Sequence, residues 1–410
     1  MTAQPAPANA PAPTSRISRP ALVALVSITF LQVGVSVLQQ GPAALGPLLV
    51  GDLHISRAQL GLLTSAIWGG MLLGTLPGGL LVDRMGERAV VAAGVTAMAA
   101  LIVLASFGPH FETVFGLFLA SSVGAAFTSP GGTRALVAWF LRHVLGLALG
   151  IRQTGVMAGG LLGALLLPPI AVSSGWRPTF RLAAAFTVLT LLAFVLVYRE
   201  PGVIRGRGRA FRIRALPHNR VWLASTAYGF VFMGALGVSV SYLALYLHEG
   251  AGLPIVVAGQ LLALLQVGGL IGRLVGGAVS DRLGRRAPVM AGMGALAVLV
   301  ALGFAVLGRR GAGLPVLALL SLLLGLSTLG WNALSITVIS EAVPLEAAAT
   351  ATGANLSIAF TAMFLVSPLF GFAADRLGGY TVAWFALAAW ATLGTAFAFL
   401  IRDRGGAAFG

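Results

Sequence analysis

The chain has no cysteine and no lysine. Without cysteine there is neither a disulfide framework nor a thiolate metal site. Charge of either sign is scarce: charged residues make up 9% of the 410, where a soluble domain carries about a quarter. Five residues are histidine. His54, His110, His143, His218 and His248 fall at or beyond the ends of apolar runs, so no run carries metal-ligand spacing. No Ser–His pair and no His/Asp/Glu cluster supports catalysis, so neither metal, cofactor nor enzyme activity is expected. What fills the chain instead is apolar: 58% hydrophobic residues and a mean hydropathy of +0.95. This is the composition of a membrane protein.

Apolar runs long enough to cross a ~30 Å hydrocarbon core as helices occur at 21–49, 57–82, 88–107, 113–136, 145–171, 178–198, 220–247, 256–280, 287–308, 314–340, 350–373 and 381–401. Lipid leaves no backbone polar group to water, and the alternation of a β-barrel is absent, so these runs read as helices. The first follows a Pro/Ala-rich tail holding Arg16 and Arg19. A cleaved signal peptide is the alternative reading there. The run is longer than a signal's apolar region, lacks a clean small-residue cleavage site, and has a counterpart near residue 220.

All 26 basic residues are arginine, and the formal net charge is +15. With the N-terminus placed in the cytoplasm, eighteen arginines fall in inside segments and six in outside ones. That excess follows the positive-inside rule. The positive charge therefore sets topology, and nucleic acid is not an expected partner. Both termini are expected in the cytoplasm, in a multi-pass monomer of the cell (inner) membrane.

The phrase "GGLLVDRMGER" (78–88) returns 198 residues later as "GGAVSDRLGRR" (276–286). The same offset superposes Gly61, Gly70 and Gly74 on Gly259, Gly268 and Gly272. The chain is thus a duplicated six-helix unit: a tail (1–20), one half (21–198), a basic Gly- and Pro-rich cytoplasmic linker (199–219), a second half (220–401) and a tail (402–410). Six is even, so the halves are parallel repeats about an axis along the membrane normal.

With these features the sequence resembles the major facilitator superfamily over residues 20–402. The family's loop signature, Gly-x3-Asp-Arg-x-Gly-x-Arg, is matched at Gly79, Asp83, Arg84, Gly86 and Arg88, and again at Gly277, Asp281, Arg282, Gly284 and Arg286. The resemblance implies an all-α polytopic fold of twelve transmembrane helices in two pseudo-symmetric halves, working by alternating access. It also implies that Asp83 caps the eleventh span and Asp281 the fifth, each in the opposite half, holding the cytoplasmic side shut. A carboxylate at a helix start is favoured by the helix dipole. The arginines of both phrases would pair with acids at neighbouring helix ends, and Glu341 suits Arg282 or Arg286. Ala138 stands where the first half needs that acid, so the two latches are unequal. The bland alternative is that these are topology charges alone. "GFAADRLGG" (371–379) looks like a third copy, which span parity places outside.

Polar residues within spans are expensive in lipid and should face a cavity or another helix. Spans three, six, nine and twelve hold no Asn, Gln or charge in their middles and read as lipid-facing scaffold. Spans one, four, seven and ten are the cavity helices in the family. Gln32 and Gln39 are seven apart in the first, Ser239, Tyr242 and Tyr246 stripe the seventh, and Thr328, Asn332 and Ser335 the tenth. Interhelical bonding is the alternative role of each. Arg273 lies eight residues before Asp281, about 12 Å inside the membrane at 1.5 Å per residue. With Gln266 and Ser280 it forms a seven-spaced stripe, and its counterpart in the first half is Thr75. Arg152, in "GIRQTG", shares a face with Gly155, Gly159 and Gly163. It is a substrate ligand or a structural tie to Asp281.

All eleven acids lie at span ends or outside, so no mid-membrane carboxylate is available as a proton relay. Protons are the candidate coupling ion in a symport, carried on the substrate or through a span-end acid. Neutralising any acid outside the two latches, Glu112 or Glu249 included, is expected to leave gradient-driven uptake intact. The fifth span lacks the Gly-Pro core of family antiporters, and Ala120 replaces the family's usual fourth-span arginine. A cavity with one or two arginines, no acid, and amide or hydroxyl donors suits a small anion such as a monocarboxylate. The candidate ligands are Arg273, Gln266, Arg152, Gln39, Tyr242 and Asn332. The alternative is efflux of drugs or other amphiphiles against Trp68 and Trp331.

Overall fold

The computed structural model describes residues 18–140, 142–200, 219–307, 311–343 and 345–401. Both tails beyond that range, and the linker from 201 to 218, lie outside the described residues. Among the described residues there are fifteen α-helices and no strand. In chain order they are α1 (Arg19–Ala44), α2 (Gly46–Leu53), α3 (Arg57–Met85), α4 (Glu87–Ala105), α5 (Phe111–Ala126), α6 (Thr128–Trp139), α7 (Arg142–Ser174) and α8 (Trp176–Val197) in the first half. The second half holds α9 (Arg220–Glu249), α10 (Ile255–Leu283), α11 (Ala287–Leu307), α12 (Leu314–Gly330), α13 (Asn332–Ala342), α14 (Leu345–Arg376) and α15 (Tyr380–Leu400). They supply twelve candidate membrane spans.

Two spans are divided at equivalent places. The fourth breaks at Phe127 between α5 and α6, and the tenth at Trp331 between α12 and α13. Pro130 explains the first break, because it has no amide to give the carbonyl of Ala126. The second has no proline; Trp331 donates its indole N–H back to the carbonyl of Thr328 at 2.8 Å. The first span ends in a turn at Leu45, between Pro42 and Pro47, and the short α2 follows it.

Helix starts follow local chemistry. Ser56 and Gln59 form a reciprocal capping box at α3, which satisfies two otherwise orphaned amides. Asn219 accepts from the amides of Val221 and Trp222 at α9. The short links after α3 and α10 turn at Gly86 (φ +87°) and Gly284 (φ +60°), where a side chain would be strained.

The glycines shared by the repeats have a packing reason. In α3, Gly70 and Gly74 lie against the carbonyls of Leu119 and Val123 in α5; in α10, Gly268 and Gly272 lie against those of Leu322 and Leu326 in α12. Lipid offers no hydrophobic drive between helices, so small residues and close backbone approach carry the association. Within the halves α1 packs on α7 and α11 on α15, and α9 is almost wholly buried. The scaffold helices α4, α8, α11 and α15 expose apolar side chains such as Leu104, Leu196, Leu299 and Phe399. The halves meet along two symmetry-related seams, α3 against α14 and α7 against α10.

Candidate functional site

One face of the bundle carries Arg84 at the end of α3, Arg88 at the start of α4, Arg134 in α6, and Arg282, Arg285 and Arg286 at and just after the end of α10; we call it the arginine-rich face. Midway through the bundle Gln266 of α10 crosses the seam and donates to the Oε1 of Gln40 in α1. Gln40 in turn donates to the carbonyl of Val156 in α7 at 3.3 Å. Gly160 leaves the room for both amides. Gln266 is 2% exposed, and its Oε1 is buried without a partner.

Arg152 lies eight residues from Gly160 and Arg273 seven from Gln266, both toward the arginine-rich face. At 1.5 Å per residue this puts the two guanidinium stems at one depth, about 10–12 Å from the glutamine pair, one in each half. Their surroundings differ. Arg152 is 6% exposed and donates to the carbonyl of Thr128 at 2.8 Å, Gln32 Oε1 at 3.3 Å and Thr133 Oγ1 at 3.5 Å. It fills the notch beside the α5–α6 break, and a Cβ on Gly132 would strike it. Arg273 makes one long bond, from Nε to the carbonyl of Leu329 at 3.4 Å, beside the α12–α13 break. Neither arginine has an ion-pair partner among the described residues. Asn332, next to that break, is half-buried and makes no side-chain hydrogen bond among the described residues.

The opposite face is sealed across the halves. Asp375, at the end of α14, accepts from the backbone amides of Arg57 (3.3 Å) and Ala58 (2.9 Å) at the start of α3. The Arg57 guanidinium lies 2.8 Å from Glu249 and 3.7 Å from Asp375, donates to the carbonyl of Ala374 at 3.3 Å, and sits over the Tyr380 ring. Tyr380 donates to Glu249 at 2.7 Å. Deeper in the seam Ser65 donates to the carbonyl of Met363.

On the arginine-rich face the paired aspartates turn to their own halves. Asp83 is 77% exposed, 3.4 Å from Arg134, which also holds the buried Glu87 at 3.3 Å. Asp281 is 70% exposed, 2.5 Å from Arg286, which reaches Glu341 at 3.2 Å. Arg88 donates to the carbonyl of Val195 at 2.6 Å; Arg84 and Arg282 are exposed. Among the described residues neither aspartate caps the fifth or the eleventh span, because each is drawn to an arginine of its own half.

Three expected cavity residues lie elsewhere. Tyr242 is fully buried and donates to the carbonyl of Arg57 at 2.8 Å, which makes it part of the seal. Gln39 points to Met71 within its own half; Gln40, one residue on and 100° around the helix, holds Gln266 instead. Trp331 packs between Tyr228 and Phe232 inside the second half, so it is no wall for an amphiphile. Trp68 stacks on Phe360 across the seam. Arg152 lies against α1 and α6, not Asp281. Sequence reading missed Gln40, and it missed the roles of Arg57, Glu249 and Asp375, although the third charged phrase flagged the last.

A family profile described as Major Facilitator Superfamily matches residues 24–360. The chain belongs to that superfamily. Its family and structural neighbours are transporters, not enzymes. A Thermus thermophilus relative named "Probable nitrate/nitrite antiporter NarK1" is 31% identical over 255 residues, covering 58% of this chain and 55% of the relative. A Cupriavidus necator relative named "Probable sulfoacetate transporter SauU" is 25% identical over 259 residues, covering 58% and 60%. The chain spans less than two thirds of the length of these relatives. The fold matches a bacterial homologue of the lysosomal transporter Spinster, solved inward-facing and unoccupied, with a TM-score of 0.81 at 15% identity over 94% of this chain and 97% of that one.

Proposed function

We propose that this superfamily member is a secondary active transporter of a small organic or inorganic oxyanion, a monocarboxylate being the simplest example. The observation that carries the proposal is Arg273: a guanidinium well inside the membrane with one 3.4 Å hydrogen bond and no carboxylate beside it. An unneeded cation at that depth costs at least a few kcal/mol on insertion scales. A bound anion supplies the missing counter-charge, and the planar fork engages two of its oxygens at once. Arg152, held by three groups of its own half, adds positive potential rather than a direct ligand. Gln266 and Asn332 offer further polar contacts along the path. Two relatives named for sulfoacetate and for nitrate/nitrite support the anionic class.

The positive-inside rule assigns the arginine-rich face to the cytoplasm, with both termini there. The sealed face is then external, as an inward-facing arrangement requires. With no acid near either buried arginine, the anion rather than a membrane carboxylate is the carrier of any coupled proton. A thermal-shift screen of purified protein tests the class, because a ligand bound only by the folded state raises the melting temperature. Small carboxylates, sulfonates or nitrate should raise it, and lipophilic cations should not. Stabilisation by the cations alone would replace this reading with amphiphile efflux.

A further inference from the structure

We infer that Asp375 is the latch of the sealed face, the counterpart of Asp83 at the other end of the same pair of helices. The inference stands on the seam itself and holds whatever solute is carried. Helices α3 and α14 belong to opposite halves and run antiparallel, so each ends in an aspartate on the side where the other begins. Asp375 closes α14 with both oxygens on the first two amides of α3. Asp83 closes α3 and is 77% exposed. One aspartate crosses to the other half, and the other makes no such contact among the described residues.

Three contacts make the engaged end a designed fit rather than a surface ion pair. Gly371 lets α14 lie on the carbonyl of Arg57, where a Cβ would collide. The Tyr242 hydroxyl donates to that carbonyl at 2.8 Å, which ties α9 to the same turn. Arg57 reciprocates the cap by donating to Ala374 at the C-terminal end of α14. An anion at the start of α3 and a cation at the end of α14 both complement the helix dipoles. The phrase that supplies Asp375, Gly371-x3-Asp375-Arg376-x-Gly378, repeats the pattern around Asp83. A rigid rock that parts α3 from α14 at one end brings them together at the other, so the two caps alternate.

The absence of native cysteine provides the test. Ser367, 1% exposed and packed where α14 crosses Gly61, becomes a lone thiol in Ser367→Cys and reports on the seam. Ser321, fully buried inside the second half, becomes a lone thiol in Ser321→Cys and reports unfolding. Labelling of the purified full chain with a membrane-impermeant maleimide is then compared with and without Asp375→Asn. The expected result is about tenfold faster labelling at 367, the effect of a ~1.4 kcal/mol shift between states, with 321 still protected and a smaller rise in Asp375→Glu. Unchanged labelling at 367 overturns the latch. An equal rise at both positions also overturns it, because Asp375 then holds the fold rather than the gate.

Discussion

Arg273 and Arg152 sit at one depth with one charge, and their hydrogen bonds separate them. Arg152 is tied to Thr128, Gln32 and Thr133, with its Nε buried and unpartnered among the described residues. Its replacement removes bonds that fix the α5–α6 break, so it belongs to the scaffold as much as to the site. Arg273 has one long bond among the described residues, which is why we propose it as the anion's ligand. A third residue allows a pH prediction. Asp52, beyond the first span, accepts from the Trp176 indole at 2.6 Å and pairs with Arg177. The indole bond, then the guanidinium, hold its carboxyl below the ordinary value of 3.8. A depressed folded-state pKa gives stability that is present above the unfolded value and lost as pH falls through the folded one. Asp52→Asn should therefore melt lower than the parent at pH 7, with the gap closing below about pH 4. A gap independent of pH would assign the loss to packing.

At the scale of elements, the repeated glycines are spacers between backbones. Gly272→Ala sets a Cβ against the carbonyl of Leu326, whereas Gly292→Ala in α11 meets open space. Overpacking costs about 1–3 kcal/mol, while alanine for an unhindered helical glycine gains up to ~1 kcal/mol. Melting of the two variants should move in opposite directions, and equal shifts would remove the packing account. The helices themselves were legible in the sequence, because span length, charge placement and the 198-residue repeat are one-dimensional signals. The α5–α6 break was signalled by Pro130; the one at Trp331 has no such residue and arises where Gly330 lets α12 approach α10. Side-chain partners were less legible. Periodicity places Gln39 on a face without saying that Gln40 meets the other half, and Tyr242 fits a cavity stripe as well as a seam. Asn355, bonded to Thr226 inside the second half, shows the same limit: a polar residue in a span must be satisfied, and sequence does not say by whom.

For the whole molecule, the charged phrase has a wider use than duplication alone explains. Two copies lie on the arginine-rich face, where their aspartates pair within their own halves, and a third lies on the opposite face, where its aspartate crosses to the other half. Glu249, first read as a bystander, shares Arg57 with Asp375 and bonds Tyr380. Its neutralisation is now expected to loosen that seal, which revises the expectation that only the two repeated phrases gate the path. Beneath that seal lie the glutamine pair and, nearer the arginine-rich face, the two arginines, with no ion-pair partner for either arginine among the described residues. Anion binding by Arg273 is tested by equilibrium binding measured beside the melting temperature of Arg273→Lys and Arg273→Ala. Folded variants with weaker binding, lysine reduced because a point ammonium cannot reproduce the planar fork and alanine reduced further, are the predicted result; parental affinity in a well-folded alanine variant would contradict it.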